Sequence, residues 1–328
     1  MKHEIVSIEI LDTYLNGSHG PTAAMAARLI LDMSTIAGIS DLIKIKQSHV
    51  SGVSVLTGGL GLTRFLENCA KDELAKVVVP TTLNSAGCDP EHHDVMELPS
   101  LDFLEKQWSI IKSYEHLGIE ATLSCTPYEN PSKELIGPAC WAESNAVCYG
   151  NSFTNLRTNR ESGLSALASA LTGYSPRWGL HLEENLIPNI IVKVNFTPKD
   201  TTRWSVLGDL IGQRLDHSIN RPLGPMPYII GCDPSINFSS RKALCAAAAN
   251  HGTPILWLHS TSEIKPYGIS SKVETFEALV DKYPKAQIMY LTEQDIEQRL
   301  HDLAPKIPVS RIVIGCPQAS FSEIEEVA

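Results

Sequence analysis

Residues 227–258, PYIIGCDPSINFSSRKALCAAAANHGTPILWL, decide the fold class. YIIG is a short β-branched run that stops at a glycine. SSRKALCAAAAN is dense in helix formers, and PILWL is again a short apolar run. A strand, a helix and a further strand in this compass describe parallel strands joined by a crossover helix. The alternation continues C-terminally. Helix VETFEALVDKY (273–283), strand AQIMYL (286–291), helix EQDIEQRLHDL (293–303) and strand RIVIG (311–315) follow in turn.

The N-terminal side reads the same way with less regularity. GPTAAMAARLILDMSTIA (20–37) has helical spacing after Gly20-Pro21, and SLDFLEKQWSIIKSYEHLG (100–118) is a helix between a serine cap and Gly118. KVVVP (76–80), IEATLSC (119–125) and NIIVKVNF (189–196) read as strands, and RWSVLGDLIGQRLDHSI (203–219) as an amphipathic helix. The Pro/Gly-rich NRPLGPMPYIIG (220–231) is the expected lobe boundary, giving lobes 1–222 and 223–328. A chain of 328 residues exceeds an ordinary single core, which agrees with two or more lobes.

Composition narrows the function. Hydrophobic residues make up 43% and charged residues 20%, so the chain is globular rather than disordered. The net charge is −10 with scattered Lys and Arg, which offers no nucleic-acid footprint. No apolar run of about 18 residues is present, so no membrane span is expected. The first residues carry Glu4, Glu9 and Asp12 where a signal core would lie, and the expected location is cytoplasmic. Eight cysteines then read as free thiols or metal ligands, although no CxxC pair occurs.

Ligands of parallel sheets meet the carboxyl ends of strands. Cys125 and Cys316 fall at two such ends, in CTPY and GCPQ. SHVSGVSVLTGGLG (48–61) reads either as a tight loop with free N–H groups for an anion or as a plain strand-to-helix turn. PTTLN (80–84) ends a strand in two hydroxyls and an amide, and His49 is either a ligand or acid or a histidine hydrogen-bonded in place. CWAESNAVCYGNSFTNLRTNRESG (140–163) gathers four asparagines and two arginines, unfavourable inside a helix and well suited to binding carboxylate or phosphate. An Asn-rich turn capped by arginines is its structural alternative. Cys69 and Cys245 sit in helical patterns as core residues, while Cys88, Cys140, Cys148 and Cys232 are ambiguous.

Six blocks together, HVSGVSVLTGG (49–59), VPTTLNSAGCD (79–89), LGIEATLSCTPY (117–128), ESNAVCYGNSFTNLRTNRESG (143–163), ALTGYSPRWGLHLEEN (170–185) and IVIGCPQASFSEI (312–324), resemble the large, catalytic part of the aconitase X family. The resemblance is collinear over essentially the whole chain. It implies an aconitase-like α/β fold, several α/β/α lobes with mainly parallel sheets around a central cleft. It also implies a dehydratase with an iron–sulfur cluster, of undetermined nuclearity, as Lewis acid. Mevalonate 5-phosphate is the favoured substrate, since PTTLNSAGCD resembles that type, and cis-3-hydroxy-L-proline comes next. By resemblance the substrate contacts are Gly52, Val53, Ser54, Asn84, Ser85, Asn145, Asn151, Ser152, Arg157, Asn159 and Arg160, and the cluster ligands are Cys125 and Cys316.

The chain also departs from the family pattern. Relatives continue past the GCP block with another cysteine and a lysine-bearing segment, whereas this chain stops at Ala328. One cluster ligand is therefore expected to be missing unless Cys88, Cys148 or another thiol substitutes. Gln318 stands where GCPH is frequent, and HSTSEIKPYG (259–268) brings in Lys265 and Tyr267. The catalytic base is expected on a small swivelling-domain partner subunit. The alternative function is a cluster-free truncated homologue acting as a binding or scaffolding subunit. A Cys or Ser acyl-transfer enzyme is disfavoured because no GxSxG is present.

Overall fold

The computed structural model describes residues 3–96, 100–130, 134–233, 235–260, 265–269 and 275–327. The first elements are β1 (Ile5–Ser7), α1 (Asp12–Leu15), α2 (Gly20–Ala37), β2 (Asp41–Lys44), β3 (Gln47–Val50), α3 (Val55–Ala70), β4 (Thr81–Leu83) and α4 (Leu101–His116). Next come β5 (Ile136–Trp141), α5 (Ser144–Phe153), β6 (Asn155–Arg157), α6 (Gly163–Thr172), β7 (Tyr174–Pro176), β8 (Ile190–Val194) and α7 (Thr201–Gln213). The last are β9 (Pro227–Ile230), α8 (Phe238–Asn250), β10 (Trp257–Leu258), α9 (Phe276–Lys282), β11 (Gln287–Leu291), α10 (Glu293–Leu303) and α11 (Phe321–Val327).

The chain divides into two compact units. The first comprises Met1–Asn130, Gly137–Glu143 and Thr158–His181, the second Pro131–Ile136, Ser144–Arg157 and Leu182–Ala328. The Pro/Gly-rich stretch around 220–224 lies inside the second unit, where Gly224 turns the chain toward β9 with φ +91°. No helix among the described residues is long and apolar enough to cross a membrane.

In the first unit β3 pairs in parallel with β4 and β5, in the registers Val50–Leu83 and His49–Trp141. A separate antiparallel sheet joins β1, β2 and β7. Helix α2 starts with Pro21 in its first turn and stops at Gly38, a left-handed cap at φ 68° whose N–H returns to Ser34 and Thr35. Helix α4 is capped by Ser100, whose side chain accepts from the Phe103 N–H. It buries Phe103, Leu104, Ile110, Ile111 and Tyr114 in one core with Val50, Leu66, Leu83 and Leu167. Each such side chain contributes about 1.5–3 kcal/mol by leaving water. In the second unit all strand pairs of the sheet β10-β9-β8-β11 are parallel, as the alternation from 227 onward requires.

Several expected strands differ. KVVVP forms none: the Val77 and Val78 N–H groups donate to the carbonyls of Leu117 and Ala170, and the ladder starts at Thr81, opposite Ser48. IEATLSC also runs beside β4 without a regular ladder, because the Thr122 hydroxyl takes the place of backbone groups against Leu83. RIVIG belongs to no strand, and Ile312, Val313 and Ile314 are exposed. The segment 144–153, unfavourable for a helix by its amides, is helix α5 with Asn145–Phe153 all buried. The glycine-rich half of 48–61 is helical too, with a break at Gly59 (φ 55°, ψ −159°). Residues 273–274 of the expected helix 273–283, and 261–264 of the stretch 259–268, lie outside the described residues; α9 covers 276–282.

Candidate functional site

Because β3, β4 and β5 are parallel and in register, their carboxyl ends form one rim of the first unit. The residues that leave these ends are 51–54, 84–85 and 142–143. The Asn84 N–H donates to the Val50 carbonyl at 2.9 Å, and the Ala142 N–H to that of His49 at 2.9 Å. Cys125 joins the same rim, since the preceding Ser124 N–H donates to the Leu83 carbonyl at 3.2 Å. The rim thus brings together Gly52, Val53, Ser54, Asn84, Ser85 and Cys125, from three separate sequence blocks.

The loop 51–54 is held from beneath by α4. Gln107 Nε2 donates to the Val53 carbonyl at 2.8 Å, and its Oε1 accepts from the N–H groups of Val55 (3.2 Å) and Gly87 (3.0 Å). The Tyr114 hydroxyl donates to the Gly52 carbonyl at 3.1 Å. Gly52 has φ +86°, a conformation that favours glycine. Gly87 is required by space, because a Cβ there would meet the Ser54 hydroxyl at 2.5 Å. Ser54 caps α3, accepting from the Leu56 N–H, so the positive end of the helix faces the same rim.

Asn84 is oriented by two neighbours. Its Nδ2 donates to Glu143 Oε2 at 2.8 Å, and its Oδ1 accepts from the Ser85 N–H at 2.8 Å. His49 lies fully buried below, its Nδ1 2.8 Å from the Thr82 hydroxyl. Burial pushes its pKa down to about 3, so it is neutral near pH 7 and does not serve as a cationic acid. Arg160 pairs with Trp141 in a parallel bridge at the end of β5, which places its backbone beside the rim, and the residue is exposed.

The other expected contacts sit each within its own unit. Asn145, Asn151, Ser152 and Arg157 belong to the second unit. Ser152 donates to the Cys148 carbonyl at 2.6 Å and accepts from the Leu256 N–H at 2.9 Å, while Asn151 Nδ2 donates to the Pro254 carbonyl at 3.0 Å. These bonds tie α5 to the approach to β10. Arg157 is 7% exposed, with Nη1 3.4 Å from Asn151 Oδ1. Burial lowers its pKa to about 10, opposed by Glu183, and leaves it charged. Asn159 is in the first unit and holds a turn: Nδ2 donates to the Trp178 carbonyl and Oδ1 accepts from the Leu180 N–H.

Among the thiols, Cys316 is exposed, with φ 53°, and Cys125 is half-buried. Cys69, Cys88, Cys140, Cys148 and Cys245 are buried, and Cys148 contacts Cys245 between α5 and α8. Cys232 is half-buried after β9, its thiol pushed up to about 11 by burial. Lys242, only 2% exposed on α8, steadies the chain after Cys316. Its Nζ donates to the Gln318 carbonyl (2.6 Å) and to Glu323 (2.7 Å).

Sequence reasoning missed Gln107, Tyr114, Glu143 and Lys242. Gln107 had a readable signal, a polar side chain on the apolar stripe 103, 104, 107, 110, 111, 114 of α4. Glu143 opens the Asn-rich block 143–163 with no spacing that marks it off from the amides after it, and Lys242 carries no local signal. An open groove of about 710 Å³, whose lining includes Glu105, Trp108, Ser109, Lys112, Ser113 and His116, lies at the end of α3 remote from Ser54.

Comparison with known proteins gives a consistent picture. Residues 10–184 match the family model described as aconitase X first domain. The phosphomevalonate dehydratase large subunit of Thermococcus kodakarensis is 33% identical over 315 residues, spanning 96% of this chain and 74% of that protein. The large subunit of the same name from Methanosarcina mazei is 32% identical, spanning 96% and 73%. The cis-3-hydroxy-L-proline dehydratase of Hypocrea jecorina is 31% identical, spanning 98% of this chain and 53% of that protein. The crystal structure of Thermococcus kodakaraensis aconitase X in its holo-form superposes with a TM-score of 0.78 at 29% identity, spanning 97% of this chain and 75% of that one.

Proposed function

As the chain belongs to the aconitase X family, we propose that it is the large subunit of a dehydratase that eliminates water from a small hydroxy acid, with mevalonate 5-phosphate as substrate. The observation that carries this reading is the rim of the first unit, where Gly52–Ser54, Asn84–Ser85, Cys125 and Arg160 meet at parallel strand ends. The relatives named for phosphomevalonate span this chain at 29–33% identity and are called large subunits. That name supports a small partner subunit; that this partner is a swivelling domain bringing the base is what the family resemblance implies. cis-3-Hydroxy-L-proline is the second substrate to test.

The donor set suits an iron–sulfur group. Cys125, Cys232 and Cys316 are the thiols that are not buried; the family resemblance assigns Cys125 and Cys316 as ligands, and thiolates are soft ligands of the kind iron–sulfur centres take. Such a group supplies a Lewis acid toward the leaving hydroxyl. The chain's own residues do the rest. The loop Gly52–Ser54 and the second N–H of the Asn84 amide take the carboxylate, and Arg160 adds a cation able to bind it bidentately. Gln107 and Tyr114 fix the loop before substrate arrives, which removes part of the ordering cost of binding.

The test is turnover by the chain purified without oxygen, reconstituted with iron and sulfide and combined with its small subunit. Dehydration of mevalonate 5-phosphate is expected. Turnover by the 328-residue chain alone would contradict the partner assignment.

A further inference from the structure

Cys140, Glu161 and His181 each offer one ligating atom, and the three atoms lie within 4.8 Å of one another inside the first unit. Three separately anchored segments bring them together. Cys140 is on β5 opposite Ser48 of β3, whose hydroxyl donates to the Cys140 carbonyl at 2.9 Å. Glu161 follows the bridge of Arg160 to Trp141, its own N–H donating to the Trp141 carbonyl at 3.2 Å. His181 ends the turn Gly179–His181, which Asn159 fastens through the Trp178 carbonyl and the Leu180 N–H. Gly179 is required there: its φ is +56°, and a Cβ would lie 2.3 Å from Asn159 Oδ1.

The carboxylate carries a second observation. Glu161 Oε2 accepts from the Ser165 hydroxyl at 2.7 Å, whereas the buried Oε1 has no hydrogen-bond partner among the described residues. An unmet buried polar atom costs about 1–3 kcal/mol, more when charged. Burial also pushes both the Cys140 thiol and the Glu161 carboxyl up, which disfavours each anion in the absence of a cation beside it. A thiolate, a carboxylate, a neutral imidazole and a divalent cation sum to zero charge, which removes that penalty.

We propose that Cys140, Glu161 and His181 form a binding site for a borderline-soft divalent cation, zinc(II) being the test ion, that uses neither Cys125 nor Cys316. Sulfur, oxygen and nitrogen donors in one set match zinc, which takes about 2.0–2.3 Å to each ligand and spaces tetrahedral ligands by about 3.3–3.6 Å. Small side-chain rotations close the observed spread to that value, and a water completes the fourth position. The ion ties β5 to the turn at 178–181, steadying the first unit from within.

The full chain, equilibrated with zinc(II) and desalted, should retain about one zinc and melt at a higher temperature than the metal-free chain. Cobalt(II) should give a thiolate charge-transfer band that survives in Cys125→Ala and Cys316→Ala and is lost in Cys140→Ala. Glu161→Gln keeps the shape and loses the charge, and should weaken zinc binding by at least about tenfold, the smallest effect expected when even an outer partner of a metal ligand is lost. The proposal is overturned if wild type gives no such band, if the band persists in Cys140→Ala, or if it disappears in Cys125→Ala. Should Cys140→Ala not fold, unchanged zinc affinity in Glu161→Gln overturns it equally.

Discussion

Gln107 holds Val53: its fully buried side-chain amide donates to the Val53 carbonyl at 2.8 Å, and the same amide's oxygen accepts from Val55 and Gly87. One helix side chain thereby sets the loop that leaves β3. Gln107→Leu keeps the volume and leaves these three backbone groups without their partner. We expect a stability loss of about 1–3 kcal/mol and a weaker affinity for mevalonate 5-phosphate. Denaturant unfolding and calorimetry read the two effects separately. Unchanged affinity in a folded variant would detach this loop from the substrate.

The two arginines of the Asn-rich segment should behave differently. Arg160 is exposed at the end of β5, whereas Arg157 is buried beside Asn151. Arg160→Lys keeps the charge and loses the planar fork, so affinity should fall roughly tenfold or more, with melting nearly unchanged. Arg157→Lys should instead lower the melting temperature. Calorimetry and thermal unfolding on both variants decide, and equal affinity losses with no change in melting would contradict the division of roles.

Asp209 gives a pH-dependent contribution in the second unit. Burial acts to raise its carboxyl, but the His251 and Arg299 hydrogen bonds (3.0 and 2.8 Å) outweigh that and hold it below the usual carboxylate value. A carboxyl depressed in the folded state stabilises above its unfolded pKa and loses that effect as pH falls through the folded one. Asp209→Asn should therefore cost about 1–2 kcal/mol at pH 7. The difference from wild type should shrink below about pH 4. A difference that stays constant between pH 7 and pH 3 would mean the carboxylate charge is not what matters.

Lys242 and Glu323 form an asymmetric pair, one almost wholly buried and the other reaching solvent. Glu323→Gln strands an ammonium in the interior, while Lys242→Met leaves a carboxylate that can turn to water. The first should destabilise the packing of α11 by about 3 kcal/mol and the second by less. Hydrogen exchange over 318–327 measures this directly. Equal protection in both variants would show that the pair does not hold that segment.

The class of the fold could be read from the alternation after 227, because those helices and the strands β9 and β11 each carry their own period. What escaped was decided by tertiary partners. The stretch KVVVP reads as a strand by its β-branched side chains, yet the Val77 and Val78 amides find carbonyls in other segments. Helix α5 forms against the preference of its amides because Asn151 and Ser152 find buried backbone partners. At the candidate site the blocks for Gly52–Ser54, Asn84 and Cys125 were visible as polar strand ends. No local pattern could say that Arg160 is exposed beside the end of β5 while Arg157 is buried, since the difference lies in the backbone pairing with Trp141.

We propose that the rim at the ends of β3, β4 and β5 binds a phosphorylated hydroxy acid for dehydration with a thiolate-held cluster. The most direct measurement is mass-spectrometric detection of water loss from mevalonate 5-phosphate by the anaerobically reconstituted complex with the small subunit, comparing wild type with Cys125→Ala. The account predicts dehydration by wild type, and in Cys125→Ala loss of both turnover and visible absorbance. Turnover by Cys125→Ala with unchanged iron content, or no dehydration of this compound by a wild-type complex that carries its cluster, would contradict it.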